Sequence, residues 1–174
     1  MNAARFYTGQ TFEAFLASAV KYKELWESTT KRVKIPEPLV AELDAIGGRW
    51  HLAVLNEDWC IDAITIVPAF ARLAELSASA DLRVFGRDAN LDLMDAHLTN
   101  GGRSIPLAIV YDEEWNDRGQ WGPRPAPLQE WVRKIGLTIP KEEKYREIRT
   151  WNAHDHGQTG LRELIDLIAN TTKK

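Results

Sequence analysis

The residue with the clearest capacity for chemistry is Cys60, the single cysteine among 174 residues. It follows the apolar run 51–55, which predicts a buried strand, and it precedes a stretch from Ile61 to Leu76 with helical periodicity. The sequence therefore places a thiol at the start of a helix, where unpaired backbone N–H groups and the helix dipole favour the thiolate. Because the thiolate is the reactive form of cysteine, Cys60 is the candidate nucleophile.

Acidic residues near Cys60 act against its ionisation. Glu57, Asp58 and Asp62 would each disfavour a second negative charge, so the thiol pKa is expected to fall less than the helix start alone would make it fall. Asp62 has two interpretations: a proton acceptor for the thiol through water, or an ordinary solvated carboxylate at a helix start. Cys60 itself also has a purely structural alternative, as a small buried apolar residue.

Further motifs accompany Cys60. Residues 59–63 read Trp-Cys-Ile-Asp-Ala, Pro68 lies eight residues after the cysteine, and Ile105-Pro106 immediately precedes an apolar run at 107–111. In this order, with strand–helix–strand patterning between them, these features resemble the thioredoxin family. Its signature is Trp-Cys-x-x-Cys at a strand-to-helix junction, followed by a proline within the helix and a distant Ile-Pro dipeptide. The resemblance covers roughly residues 48 to 136.

The resemblance implies a fold and a set of roles. The expected fold is α/β and thioredoxin-like, a central mixed sheet of about four strands flanked by helices on both faces. Cys60 occupies the position of the nucleophile, and the residues expected to bind the substrate are Trp59, Ile61, Ile105 and Pro106. The Ile105-Pro106 peptide bond is expected to be cis, so that the exposed backbone of Ile105 can pair with a bound partner.

Two departures from the family pattern concern the chemistry. Ala63 stands where dithiol members carry the second cysteine, and Val54 stands where thioredoxins bury a proton-transferring aspartate. A dithiol enzyme resolves its mixed disulfide with the second thiol. Without one, the mixed disulfide persists until an external thiol releases it.

These departures leave the function open between classes. The leading hypothesis is monothiol thiol–disulfide exchange through Cys60, with a disulfide-containing protein or a low-molecular-weight thiol as partner and no cofactor. The alternative is a non-catalytic binding module that uses the groove between Trp59 and Pro106 for a peptide or small ligand. A weaker third possibility is a metal or cluster site at Cys60 shared between two subunits.

Composition narrows the class of protein. With 44% hydrophobic and 27% charged residues, the chain has the make-up of a globular protein, and its net charge of −3 gives no reason to expect a nucleic acid or anionic membrane partner. No apolar run reaches the roughly 18 residues of a membrane span, and the N-terminus lacks the apolar core of a signal peptide. The expected compartment is the cytoplasm.

The remaining patterns predict the elements around the site. A strand is expected at 82–86, a helix at 90–98, and a hairpin from the run 107–111 and a strand beginning near Gly119. Further helices are predicted over 11–33, 38–46, 128–135, 141–151 and 161–170. We interpret the chain as one domain, 1–174, with a core at about 48–136 and helical additions at 11–46 and 140–171.

Two residue groups invite functional interpretations with simpler alternatives. Two histidines flank Asp155, but without further ligands a polar loop explains His154 and His156 better than a metal site. Three tryptophans could line a groove beside the active site, although packing explains them as well: Trp115, Trp121 and Trp131.

Overall fold

The computed structural model describes residues 1–172, and its centre is a four-stranded mixed sheet. The strands are β1 Trp50–Asn56, β2 Ala80–Gly86, β3 Leu107–Tyr111 and β4 Asp117–Trp121. Their order across the sheet is β2-β1-β3-β4. This arrangement matches the predicted mixed sheet, including the antiparallel hairpin of the last two strands.

Strand β1 lies inside the sheet and carries the chain to the candidate site. It pairs in parallel with β2 and antiparallel with β3, and every one of its residues is buried. Since successive side chains of a strand point to opposite faces, burial along the whole strand requires cover on both faces of the sheet. The apolar sequence of β1 suits this position, because its side chains can be buried on both faces.

Helices provide the layers that flank the sheet. In chain order they are α1 Ala3–Phe6, α2 Phe12–Ser18, α3 Lys23–Arg32, α4 Glu37–Ile46, α5 Ala63–Leu76, α6 Leu91–Asp95, α7 Ala126–Trp131, α8 Lys141–Asp155 and α9 Gln158–Thr171. None of the helices among residues 1–172 is both long enough and apolar enough to span a membrane.

Helix α5 connects β1 to β2 and follows the candidate nucleophile. Ile64, Val67 and Phe70 lie on its buried side and join the main hydrophobic core. Pro68 lies within the helix, where it removes one backbone donor. The helix begins at Ala63, so Cys60 lies in the turn before its first residue rather than within its first turn.

The predicted helix over 11–33 is wrong in one respect, because the structure divides it into α2 and α3. The break spans residues 19–22: Ala19 is already extended, with ψ of 133°, and the φ of 54° at Tyr22 is in the left-handed region, which cannot continue a right-handed helix. The apolar positions nevertheless keep their role, and Phe15 and Trp26 pack edge to face in the core with ring centroids 5.2 Å apart. Thr11 caps α2, accepting a hydrogen bond from the Ala14 amide at 3.1 Å.

Other boundaries differ from the pattern as well. Helix α8 continues past its predicted end at 151 to Asp155, so His154 lies in a helix and not in the expected polar loop. Helix α6 ends at Asp95 instead of Leu98, where the next turn is drawn toward β4 by a 2.6 Å contact between the His97 ring and Asp117. Strand β4 begins two residues earlier than predicted, and α7 continues into a π-helical turn over Val132–Gly136. The contact between His97 and Asp117 is long-range, so local periodicity does not contain it.

Candidate functional site

The thiol of Cys60 lies in the turn between β1 and α5. The backbone N–H of Cys60 donates to the Glu57 carbonyl at 3.1 Å, which closes the turn. Its Sγ donates to the Ile105 carbonyl oxygen at 3.4 Å, although the two residues are 45 positions apart in sequence. Cys60 is only 7% exposed. The fold therefore brings together the two motifs that the sequence analysis paired.

The ionisation of Cys60 corrects the expectation of a favoured thiolate. Burial, and after it the negative charge of Asp62, raise the pKa of the Cys60 thiol to about 11. The backbone N–H groups of Ala63 and Asp62 and the charge of Arg124 lower the pKa, but by less. The helix start does act as expected, and it is outweighed by the loss of water around the sulfur. At neutral pH the resting thiol is protonated.

Asp62 and Arg124 form an ion pair beside the thiol. The Arg124 guanidinium donates to one Asp62 oxygen at 2.5 Å. Both side chains are largely buried, with 17% of the Arg124 side chain and 11% of the Asp62 side chain exposed. The other carboxylate oxygen of Asp62 is buried and has no hydrogen-bond partner among residues 1–172. One oxygen of Asp62 is therefore held by the arginine, and the other makes no hydrogen bond within the described residues.

The loop before β3 forms the second side of the site. The Ile105-Pro106 peptide bond is cis in the structure, and Pro106 is buried behind Ile105. Gly122, at φ 132°, lies against this loop so closely that a Cβ atom there would collide with the Pro106 carbonyl oxygen. Because a glycine occupies this position, the segment that carries Arg124 can approach the Ile105 loop.

The N-terminal helices hold the loop that carries Cys60. The carboxylate of Asp58 accepts hydrogen bonds from the backbone N–H groups of Val20 and Lys21, each at 2.8 Å. The indole N–H of buried Trp26 donates to the Asp58 carbonyl oxygen at 2.9 Å. Asp58, two positions before the thiol, is thus held by a segment outside the strand–helix–strand core.

A cavity of about 730 Å³ opens over Cys60. Most of the predicted site residues line it, namely Trp59, Cys60, Ile61, Asp62 and Ile105. Pro106 does not line the cavity. Trp59 is 44% exposed, and the Arg87 guanidinium lies 5.0 Å from the centroid of its ring. The cavity has a volume within the range of about 300–1,000 Å³ typical of small-molecule sites.

The sequence analysis missed a set of cavity residues that come from distant parts of the chain. They are Tyr22, Arg87, Arg103, Ser104, Pro123, Arg124, Lys141, Glu142, Tyr145 and Arg149. No local pattern links Arg124 to Asp62, which is 62 positions away. The four-residue spacing of Lys141, Tyr145 and Arg149 on a predicted helix is the one signal that places part of this set on a common face.

The other candidate groups have structural partners. Trp115 stacks on His51 with ring centroids 3.9 Å apart, and Trp121 packs edge to face against Phe70 at 4.9 Å. With Trp131 in a separate small cluster beside α8, the three tryptophans pack in different places rather than lining one groove. Asp155 accepts a hydrogen bond from the Thr159 amide at 3.2 Å. Residues 1–172 contain no group of three or more potential ligands arranged for a metal.

Comparison with known proteins identifies the family of this chain. The family model described as Thioredoxin matches residues 9–146, more than half of the chain. The chain belongs to the thioredoxin family. The range matched to the thioredoxin family is wider than the 48–136 that the motifs indicate, and it includes the N-terminal helices that hold Asp58. Comparison with curated proteins finds no match.

Two solved structures share the thioredoxin-like fold of this chain. One is the crystal structure of a protein of unknown function, PA1234, from Pseudomonas aeruginosa, with a TM-score of 0.76, 19% identity and 98% of each chain covered. The other is the crystal structure of an HIV epitope-scaffold, with a TM-score of 0.74, 21% identity, and 98% of this chain and 99% of that chain covered. At these identities the likeness concerns the fold alone.

Proposed function

We propose that the protein carries out monothiol thiol–disulfide exchange at Cys60. The observation that carries this proposal is the thiol in the lining of an open cavity, where it donates to the Ile105 carbonyl and lies within the electrostatic influence of Asp62. A disulfide in the cavity meets the sulfur of Cys60 on one side and backbone of the Ile105 loop on the other. The resting thiol requires a proton acceptor, and Asp62 is the carboxylate beside it.

The exchange step balances without a cofactor. The sulfur of Cys60 bonds to one sulfur of a substrate R–S–S–R′ as the S–S bond breaks, giving Cys60–S–S–R. The proton of Cys60 passes by way of Asp62 to the leaving sulfur, which departs as R′–SH. Since position 63 is alanine, a second low-molecular-weight thiol, R″–SH, attacks the mixed disulfide. This second step releases R–S–S–R″ and returns Cys60 to the thiol.

The test is acceleration of thiol–disulfide interchange. The full chain is mixed with 2-hydroxyethyl disulfide and an excess of 2-mercaptoethanesulfonate, and the mixed small disulfide is followed by chromatography, with Cys60→Ser as the control. We expect the wild-type chain to exceed the uncatalysed rate and Cys60→Ser to match it. Mass spectrometry should detect the Cys60 mixed disulfide during turnover. If the wild-type chain also matches the uncatalysed rate, the proposal is wrong.

The role of Asp62 is tested by the pH profile of the same reaction. If Asp62 accepts the proton, the wild-type rate between pH 6 and 8 exceeds the rate that its thiolate fraction allows. In Asp62→Asn the rate then follows the thiolate fraction over the whole range, even though the thiol ionises more readily. A wild-type profile that also follows the thiolate fraction would remove Asp62 from the mechanism.

A second function, binding without catalysis, is favoured by a different observation. The pKa of Cys60 is raised to about 11, and neither Ala63 nor the fully buried Val54 provides the groups that dithiol enzymes use. On this hypothesis the cavity holds a ligand, and Cys60 is a neutral part of its wall. Failure of the interchange assay, together with slow alkylation of Cys60 at neutral pH, would favour this function over exchange.

A further inference from the structure

Part of the wall of the cavity is formed by helix α8, which lies outside the strand–helix–strand core. Lys141, Tyr145 and Arg149 follow one another at four-residue steps, so they share one face of the helix, and all three line the cavity. The Lys141 ammonium lies 6.0 Å from the centroid of the Tyr145 ring. Helix α8 therefore presents a stripe of two cations and an aromatic ring to the space above the thiol.

The charge of the cavity lining is mostly positive. Among residues 1–172 its cations are Arg87, Arg103, Arg124, Lys141 and Arg149, and its acids are Asp62 and Glu142. Some of these cations are already paired. Arg103 holds both oxygens of Asp95, at 2.6 and 2.8 Å, and Arg124 holds Asp62.

The two α8 cations that line the cavity, Lys141 and Arg149, are available to bind an anion. Within the described part of the chain, neither Lys141 nor Arg149 has a carboxylate oxygen within 4.0 Å, and both side chains are exposed. An exposed cation facing a cavity gains most from an anion that enters the cavity, because the partly enclosed walls reduce screening by water. The cavity that contains the thiol of Cys60 thus also contains positive charge that no carboxylate of the described residues neutralises.

We infer that the substrate of Cys60 is a small disulfide or thiol that carries carboxylate groups, and that Lys141 and Arg149 bind those carboxylates. The inference rests on the exchange proposed above for its reactive part, and on the α8 stripe for its charge. A cavity of about 730 Å³ fits a small molecule rather than a folded partner. The sulfur of the substrate then lies toward Cys60 and its charged end toward α8.

The experiment compares three symmetric disulfides of similar size. Mixed-disulfide formation on the full chain is measured by mass spectrometry with 3,3′-dithiodipropionate, which is anionic, 2-hydroxyethyl disulfide, which is neutral, and cystamine, which is cationic. We expect the anionic probe to react about tenfold faster than the neutral one and the cationic probe to react slowest. Added salt should reduce this preference. Equal rates for the anionic and neutral probes would overturn the inference.

Matched variants locate the charge. In the double variant Lys141→Gln/Arg149→Gln, the ratio of anionic to neutral rates should fall to near one. The control Lys144→Gln/Arg146→Gln removes two cations of the same helix that do not line the cavity, and it should keep the wild-type ratio. If the control loses the preference as fully as the cavity variant does, the overall charge of α8 is responsible and the assignment to Lys141 and Arg149 is wrong.

A binding measurement separates failure of the inference from failure of the exchange proposal. Suberate, a dicarboxylate without sulfur, is titrated by calorimetry into Cys60→Ser with and without the cavity substitutions. Binding that requires Lys141 and Arg149 supports anion recognition even if no probe reacts, in which case only the exchange proposal fails. If no probe reacts and suberate does not bind, both proposals fail.

Discussion

At the scale of single residues, the pKa of Cys60 is set by two opposing effects, burial and backbone hydrogen bonding, of which burial is the larger. Backbone N–H groups at the start of α5 stabilise the thiolate, but the loss of water around the sulfur destabilises it by more. The pKa of Cys60 therefore rises to about 11. A cysteine at a helix start is thus activated only if it remains accessible to solvent.

The reactivity of Cys60 should follow this ionisation. We predict that alkylation by iodoacetamide is slow at pH 7 and rises steeply up to about pH 11, because only the thiolate reacts. Asp62→Asn removes the second cause of the raised pKa, so its profile should move to lower pH and its rate at pH 9 should be severalfold higher. Asp166→Asn, on the exposed side of α9, is the control. An unchanged profile in Asp62→Asn would contradict the assigned role of the Asp62 charge.

At the scale of elements, the approach of the Arg124 segment to the Ile105 loop depends on Gly122. An alanine there would have its Cβ against backbone, with the Leu107 Cα at 3.2 Å, and backbone cannot move aside as a side chain does. We predict that Gly122→Ala lowers the free energy of unfolding by about 2–4 kcal/mol in urea titration.

Gly101 provides a matched control for Gly122→Ala. It also has a positive φ, of 78°, but a Cβ there would meet nothing within 4 Å. Gly101→Ala therefore carries the conformational cost alone and should be destabilised by only about 1 kcal/mol. Equal losses in the two variants would show that the collision at Gly122 is relieved.

The hairpin between β3 and β4 depends on Asp112. Its buried carboxylate accepts hydrogen bonds from the Glu114 and Asn116 amides, at 3.0 and 2.9 Å, and from Arg118 at 2.7 Å. Burial alone would raise the pKa of Asp112, but hydrogen bonds from the side chain and amide of Asn116, with the hydrogen bond and charge of Arg118, outweigh it and hold the pKa below its ordinary value.

A depressed pKa makes the contribution of Asp112 dependent on pH. Its stabilisation is complete above the unfolded carboxyl pKa of about 3.9 and is lost as pH falls through the lower folded value. We predict that Asp112→Asn lowers the free energy of unfolding by about 2 kcal/mol at pH 7, and that the difference from wild type shrinks at pH 3. Urea unfolding at both pH values measures this, with Asp166→Asn as the control. A difference that is equal at both would contradict it.

At the scale of the whole molecule, the N-terminal helices are joined to the loop that carries Cys60 by hydrogen bonds to Asp58. Trp26→Phe removes the indole donor to the Asp58 carbonyl but keeps the apolar ring in the core. We predict that the loop carrying Cys60 then opens more often, so that alkylation at pH 9 becomes severalfold faster. Leu25→Ala, at an exposed position of the same helix, should leave the rate unchanged. Unchanged labelling in Trp26→Phe would mean that the Asp58 contacts do not limit access to the thiol.

The sequence predicts the fold far better than it predicts the surroundings of the thiol. Strand β1, helix α5 and the hairpin follow from local periodicity, and the Trp-Cys and Ile-Pro motifs identify two sides of the site. Arg124 and the α8 stripe reach the cavity only through long-range packing, which a pattern within a few residues does not encode. The break at Tyr22 was missed for the same kind of reason, since apolar spacing continues across it while the backbone changes direction.

The burial of the Cys60 sulfur also determines how readily the thiol is oxidised during storage in air. Peroxide and oxygen-derived oxidants attack thiolate, and a sulfur that is protonated and 7% exposed offers little of it. Purified protein stored without reductant is therefore expected to keep one titratable thiol per chain after denaturation, and to form no disulfide-linked dimer. Ellman's reagent in guanidinium and a non-reducing gel would measure both, and rapid loss of the thiol would show that the loop opens readily. The same enclosure that slows Cys60 thus protects it from sulfinic and sulfonic damage.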